Sequence, residues 1–488
     1  MIQDGVIRDG VSRAALAAVV ATAVASVLAA CSLAPPYKPP ATEQVASFKE
    51  AGDWMPAKPS DADQRGQWWG VFTDSKLNEL EDKLNASNPD LQAAVARFVQ
   101  SRAVARQDVS SEFPTVGAEA SATRARSSAT GPYSNLYGNV PVTSNDFVAG
   151  LNLNWEIDLF GRLRNTANAA KAQAQSSQAD AAAVALSLQA QLASDYFNLR
   201  GDDTTIVLLE DTIKVYDHAY ELTRNRYQEG ISAATDVDQA DTLRQSARAQ
   251  LASVRRDRAQ LEHAIAVLLG VMPSTFSLEP AQLAGSVPAV DAGLPSALLQ
   301  RRPDVARAER AMAAANAQIG VARAAWFPVF TLTGEAGFQS LIGSQWFKAP
   351  SRIWSVGPSA NVPLLDFGAR SAVNQQARAA YDEAVANYRK TTLTAYQEVE
   401  DNLAALHHLA DEVTADEAAS KAAESAANHS DKRYDAGVAD YVEVTTTHTA
   451  ALQEERDAIS ARVLQLNAAV GLVRAAGGGW TRDQISQL

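Results

Sequence analysis

Where proline is missing constrains this chain most. All 19 prolines lie within residues 35–141 and 273–363, leaving 142–272 and 364–488 without one. A proline inside a helix costs roughly 3 kcal/mol, through a lost hydrogen bond and a ring clash. Two long stretches that avoid it, and that are rich in Ala, Gln, Leu, Arg and Glu, read as helix. Glycine sharpens the reading: Gly201 is the only one between Arg162 and Glu229, and none lies between Ala369 and Ala436. At about 1.5 Å per residue, a helix from Leu163 to Glu229 would be on the order of 100 Å long. No ordinary globular domain is that tall. The abundance of alanine suits such helices packed closely together better than a thick core.

Each stretch is divided by a matching turn. The first reads Arg226-Tyr227-Gln228-Glu229-Gly230, then Thr235-Asp236-Val237-Asp238; the second reads Arg433-Tyr434-Asp435-Ala436-Gly437, then Asp440-Tyr441-Val442-Glu443. Gly230 and Gly437 sit where a left-handed helix cap favours glycine. Thr235 with Asp238, and Asp440 with Glu443, have capping-box spacing for the following helix. Each stretch is therefore expected to be a helical hairpin. Tyr396, Val399, Leu403, Leu406, Ala410 and Val413, spaced alternately by three and four, form a narrow inter-helix seam.

The halves repeat. Asn88-Pro89-Asp90-Leu91 matches Arg302-Pro303-Asp304-Val305, and Phe113-Pro114 matches Phe327-Pro328; Phe160-Gly161 matches Phe367-Gly368, as Tyr227 and Gly230 match Tyr434 and Gly437. Each half reads helix, Phe-Pro, β hairpin, Phe-Gly, long helical hairpin. The boundaries that follow are a signal peptide at 1–30, an extended Pro-rich arm at 31–73, and a first repeat at 74–272. A linker at 273–300, a second repeat at 301–474 and a tail at 475–488 complete the chain. A first helix is expected from near Asp74, through Leu77, Leu80 and Leu84.

The β segments alternate. Phe147, Ala149, Leu151, Leu153, Trp155, Ile157 and Leu159 share one face; Phe330, Leu332, Gly334, Ala336 and Phe338 do so in the second half, as do Trp354, Val356, Ala360, Val362 and Leu364. The strand from Val116 to Thr123 is weaker, its apolar face being mostly alanine. Such alternation fits a half-exposed soluble sheet or membrane strands. The repeat and the N-terminus favour membrane strands. Four strands cannot close a barrel, and lipid does not tolerate an open edge. Two chains would give eight strands with a filled interior, whereas three would give twelve and a lumen.

At the N-terminus, Arg8 and Arg13 precede an uncharged run from Ala14 to Ala30, too short for a comfortable span and suited to a secretory signal. It ends in Leu28-Ala29-Ala30-Cys31, a lipobox pattern carrying the chain's single cysteine. Cys31 is the expected lipid-attachment site, and Ser32 after it favours export to the outer membrane. One cysteine excludes a disulfide framework. The net charge of −13 argues against nucleic acid as a partner. His218, His263, His407, His408, His429 and His448 form no His-Glu-x-x-His pattern, and no catalytic constellation appears. The chain is read as no enzyme, with no metal and no cofactor beyond the lipid on Cys31.

The chain resembles the TolC-like outer membrane factors, in their lipoprotein multidrug-efflux branch, from about Trp68 to Trp480. Trp68-Trp69, the run Trp155 to Arg162, Arg301-Arg302-Pro303-Asp304, Ala324 to Pro328 and the two Tyr-x-x-Gly turns carry the resemblance. It implies a mainly α, trimeric fold with transmembrane β: a twelve-stranded barrel, four strands per chain, over a long helical periplasmic barrel. The implied partners are two further copies, a periplasmic adaptor, an inner membrane pump and outer membrane lipid. Carried over by position, the resemblance implies a periplasmic gate at Asp236, Tyr434 and Glu443, with Asp440 beside them. Many members have aspartate where this chain has Glu443, and some have a basic residue where it has Ala439. Those acids also fit plain helix capping. The implied function is a passive export duct for small molecules; a protein-secretion or metal-efflux duct and a non-conducting surface stalk are the alternatives. Only four methionines, unclustered, give no support to a copper or silver route.

Overall fold

Helix fills both proline-free stretches in the computed structural model, which describes residues 32–39, 48–49, 67–130, 138, 140–284, 287–288 and 302–478. In chain order the elements are α1 (Ser75–Ser87), α2 (Pro89–Ser110), β1 (Thr115–Arg126) and β2 (Thr143–Ile157). Next come α3 (Arg162–Gln228), α4 (Ala234–Leu268), α5 (Pro303–Ala324), β3 (Val329–Ser340) and β4 (Arg352–Asn361). The last two are α6 (Ala369–Asp435) and α7 (Tyr441–Ala475). The repeat is exact in length: α3 and α6 each have 67 residues, and α4 and α7 each have 35. No helix among the described residues is long and apolar enough to cross a membrane. The signal segment and Cys31 lie outside the described residues.

The chain forms two compact units, each drawing on both repeats. One comprises residues 1–40, 99–176 and 309–387 and holds the sheet. Its strands are antiparallel throughout, in the order β1-β2-β3-β4, so β1 and β4 are open edges. Register puts Val116 opposite Leu153, Leu151 opposite Ala336 and Ala336 opposite Trp354. The apolar residues of all four strands therefore share one face, as a period of two requires. That face is bare: Val116 is 66% exposed, Leu151 55%, Trp354 78% and Val356 65%. Beneath the sheet Phe160 stacks on Phe327 at 4.5 Å, joining the Phe-Gly of the first repeat to the Phe-Pro of the second.

The start of the Pro-rich arm, residues 32–39, is docked in this unit. Arg323 Nη1 donates to the Leu33 carbonyl at 3.2 Å, and Asn316 Nδ2 to that of Pro35 at 2.9 Å. The Tyr37 hydroxyl donates to Glu309 Oε1 at 2.8 Å. Residues 33, 35 and 37 thus meet 323, 316 and 309, so the arm runs antiparallel to α5. Gly320 makes room for it, because a Cβ there would come within 2.8 Å of the Ala34 methyl. Proline-rich backbone has few donors of its own, so side chains of the helix supply them.

The other unit, residues 41–98, 177–308 and 388–488, is mostly helix. The expected first helix starts on cue: Asp74 caps α1 by accepting from the Lys76 and Leu77 N–H groups. Leu77, Leu80 and Leu84 are buried, and Phe72 packs on Phe197 of α3 at 5.0 Å. Of the predicted seam, Val399, Leu403, Leu406 and Val413 are buried. Tyr396 is half-buried and Ala410 is exposed, while Ala395 takes a buried place instead. The Pro-Asp motifs explain themselves. Asn88 Nδ2 donates to the Leu268 carbonyl at 2.7 Å, closing the end of α4. At the matching place Arg302 Nη1 donates to the Ala475 carbonyl at 3.1 Å, closing the end of α7. Arg302 also forks onto Asp304, at 2.6 and 3.0 Å, and reaches Glu398 at 2.7 Å.

Candidate functional site: the paired hairpin turns

The two turns are built alike. Gly230 and Gly437 have φ of 77° and 70°, where a side chain would be strained. At the first turn the Gly230 N–H donates to the Tyr227 carbonyl and the Ile231 N–H to that of Arg226. At the second, Gly437 and Val438 donate to Tyr434 and Arg433 in the same way. Both are Schellman caps, which end a helix and satisfy its last carbonyls. Ile231 and Val438 project from the turns largely exposed.

The following helices start differently from each other. The expected Thr235–Asp238 capping box does not form. The cap falls two residues earlier, at Ala233, with Asp236 as the third helical residue. Alanine offers no side-chain acceptor, so only the return half of the box exists: Asp236 Oδ2 accepts from the Ala233 N–H at 3.3 Å. Asp440 caps α7 as its spacing requires, accepting from the Glu443 N–H at 3.0 Å. Glu443 does not reach back to complete the box. Its carboxylate meets Arg433 Nη1 at 3.1 Å and staples α7 to the end of α6.

Between the hairpins lies an aromatic cluster. Tyr441 and Val444 of α7 and Ala240 of α4 are buried, with Tyr220 and Tyr434 packed against them. The Tyr434 and Tyr441 rings meet edge-on at 5.3 Å. Burial pushes the Tyr441 phenol up to about 12, helped by Tyr434, Tyr216 and the charges of Asp431 and Asp236. It stays protonated at any physiological pH. The Tyr434 hydroxyl is buried without a hydrogen-bond partner.

Arg226 crosses from the first hairpin to the second. Its guanidinium lies 4.7 Å from the Tyr434 ring centre, and Nη2 is 3.7 Å from Asp435 Oδ1. Arg244 of α4 stacks on Tyr220 at 3.9 Å and pairs with Asp241 at 2.6 Å. Deeper along the second hairpin, His448 Nε2 and Asp431 Oδ1 are 2.9 Å apart, linking α7 to α6.

Asp236, Tyr434, Asp440 and Glu443 are thus gathered with Gly230 and Gly437 around the two turns. Arg226, Tyr441 and Arg433 stand in the turn motifs of the sequence with no role there, and only the structure brings them into the cluster. A signal existed: Arg226 and Arg433 each stand four residues before a turn glycine. The repeat hides their divergence, since Arg433 stays within its hairpin while Arg226 leaves its own. The cluster contains no nucleophile paired with a base. Among the described residues no three His, Cys, Asp or Glu side chains are placed to hold a metal.

A sheet with an apolar outer face, carried on the same chain as two pairs of long helices, defines an outer-membrane duct rather than a pocketed protein. The outer membrane efflux protein family model matches residues 80–271 and 294–478. A probable efflux pump outer membrane protein, TtgC of Pseudomonas putida, is 32% identical over 456 residues, 93% of each chain. A cation efflux system protein, CusC of Escherichia coli, is 30% identical over 93% of this chain and 96% of its own. The solved outer-membrane channel OprN superposes with a TM-score of 0.86 at 30% identity, covering 92% of this chain and all of that one. This chain belongs to the outer membrane efflux protein family. Its fold and its role are those of an outer-membrane efflux channel.

Proposed function

We propose that three copies close a twelve-stranded wall and form a passive duct for small organic molecules. An inner membrane pump, joined by a periplasmic adaptor, delivers the cargo. One observation carries the assembly: a four-stranded sheet with an apolar, exposed outer face and both edges open. In lipid each unpaired edge group costs several kcal/mol, so β1 of one copy must pair with β4 of the next. A lone, folded, membrane-inserted protomer by native mass spectrometry would overturn this. The small-molecule cargo is favoured by relatives named as antibiotic and toluene efflux proteins. CusC, named for cations, marks the competing reading.

The inner end closes at the paired turns. Three copies bring three Asp236 and three Glu443 carboxylates near one axis, a ring that attracts cations and hinders anions. Replacing Asp236 and Glu443 together with alanine is expected to raise single-channel conductance and admit large antibiotics to intact cells. Unchanged conductance and uptake would remove the gate assignment, leaving those acids as helix-capping and stapling groups.

Cys31 carries the anchor. Cys31→Ser is expected to abolish incorporation of labelled fatty acid and leave the signal segment uncut by the lipoprotein peptidase. Continued labelling of the serine variant would end the assignment. The docked arm, held by Glu309, Asn316 and Arg323, sets where an anchor at residue 31 begins.

A further inference from the structure

The two ends of the sheet treat their charges differently. At the end that joins the helices, the arginines that follow β2 and β4 are matched. Arg162 forks onto Glu156 at 2.8 and 2.6 Å, Arg164 meets Asp158, and Arg370 meets Asp366. At the far end the pattern inverts. Residues 120–145 hold only Arg124 and Arg126 as charged residues, and residues 338–353 only Lys348 and Arg352. All four are exposed, and none has an ion-pair partner among the described residues. The first acid nearby, Asp146, lies on the opposite face and is held by Gln339 Nε2 at 3.1 Å.

Register fixes which face the arginines occupy. Val116, Ala118, Ala120 and Ala122 lie on the apolar face of β1, and Arg124 and Arg126 continue it in steps of two. On β4, Arg352 stands opposite Phe338 and two residues before the exposed Trp354, again on the apolar face. The adjoining loop exposes Leu341, Ile342 and Phe347, and stacks Phe347 on Trp346 at 4.9 Å. From Phe147 to Ile157, at about 3.4 Å per residue and a tilt of about 40°, β2 climbs roughly 25 Å, the height of a lipid-facing band. The arginines therefore crown that band at headgroup level. An arginine at mid-bilayer is costly, but one at the rim, facing outward, meets phosphate.

We propose that this rim binds the phosphate-bearing headgroup of an outer-leaflet glycolipid, whose acyl chains cover the apolar face below. The inference rests on the assembly proposed above. Joining β4 of one copy to β1 of the next brings Arg352 to the same seam as Arg124 and Arg126 of its neighbour. The complete site then needs two copies and occurs three times per channel. A planar guanidinium binds phosphate oxygens two at a time, and two such groups on a bisphosphorylated headgroup exceed what a zwitterionic lipid offers.

Native mass spectrometry of the detergent-solubilised full chain, titrated with diphosphoryl lipid A, tests this. Discrete lipid adducts on the trimer are expected, weakened at least about tenfold by Arg124→Gln with Arg126→Gln and Arg352→Gln. Arg102→Gln with Arg106→Gln, which removes exposed charge from α2 instead, is expected to leave them unchanged. Monophosphoryl lipid A should bind more weakly, and millimolar inorganic phosphate should not compete without acyl chains. A trimer that binds lipid A equally with and without the three arginines overturns the site. So does a trimer that prefers phosphatidylethanolamine. A monomer in the same spectra instead overturns the assembly, which separates the two failures.

Discussion

Replacing Arg302 with methionine is expected to cost about 3 kcal/mol, as removal of one partner from a buried ion pair does. Arg302 is 7% exposed, and its guanidinium holds three groups at once: the Asp304 carboxylate, the Glu398 carboxylate and the Ala475 carbonyl. Methionine fills much of the same volume, so packing changes little. What changes is that two partly buried carboxylates lose their common cation, and the end of α7 loses a donor. Thermal melts of the detergent-solubilised protein, followed by circular dichroism, would register the loss. Arg302→Lys should fall between, because an ammonium cannot fork onto Asp304 while reaching Glu398. Arg307 provides the control. It pairs with Asp180 at 3.0 Å but is half exposed, where such pairs contribute about 0–1 kcal/mol. If Arg302→Met and Arg307→Met melted together, the tie at the start of α5 would be ornamental.

That tie was legible as a motif before its purpose was. Asn88-Pro89 and Arg302-Pro303 stood out because both halves carry them, yet only the structure finds each closing the helix that ends its own repeat. Helices were legible because missing proline and sparse glycine are facts about backbone, independent of what packs where. Strand faces were legible because alternation has a fixed period, and the observed register pairs the residues so grouped. Its prolines mark the arm as extended, but nothing in them marks the docking of residues 32–39, since proline-rich sequence carries no periodicity to show a contact face. At the turns, glycine placed Gly230 and Gly437 correctly. The start of α4 escaped because Asp236 fills half a capping box without a capping side chain before it. Arg226 escaped for a deeper reason: its partners, Tyr434 and Asp435, lie across a tertiary contact that no local pattern encodes.

Glu81 carries no such mark in the sequence, and its burial has the second large consequence. On α1 it stands four residues after Leu77 and three before Leu84, on the helix's buried face. It is wholly buried, and neither carboxyl oxygen has a hydrogen-bond partner. Burial, and secondarily the charge of Asp82, pushes its pKa up from 4.5 to about 9. Below pH 4.5 folded and unfolded chains both hold the proton, and stability is complete. Between 4.5 and 9 the folded chain keeps a proton that the unfolded chain releases, so stability falls as pH rises. By pH 7 the loss is about 3 kcal/mol. Glu81→Gln keeps the shape and the unmet polar group but cannot ionise. It is expected to melt with the wild-type protein at pH 4 and well above it at pH 7, with a flatter profile between. Melts that ran parallel from pH 4 to 9 would mean that the carboxyl finds a partner or water in the assembled protein. A gap that widened toward acid would reverse the sign, and would mean that Glu81 is charged in the native state.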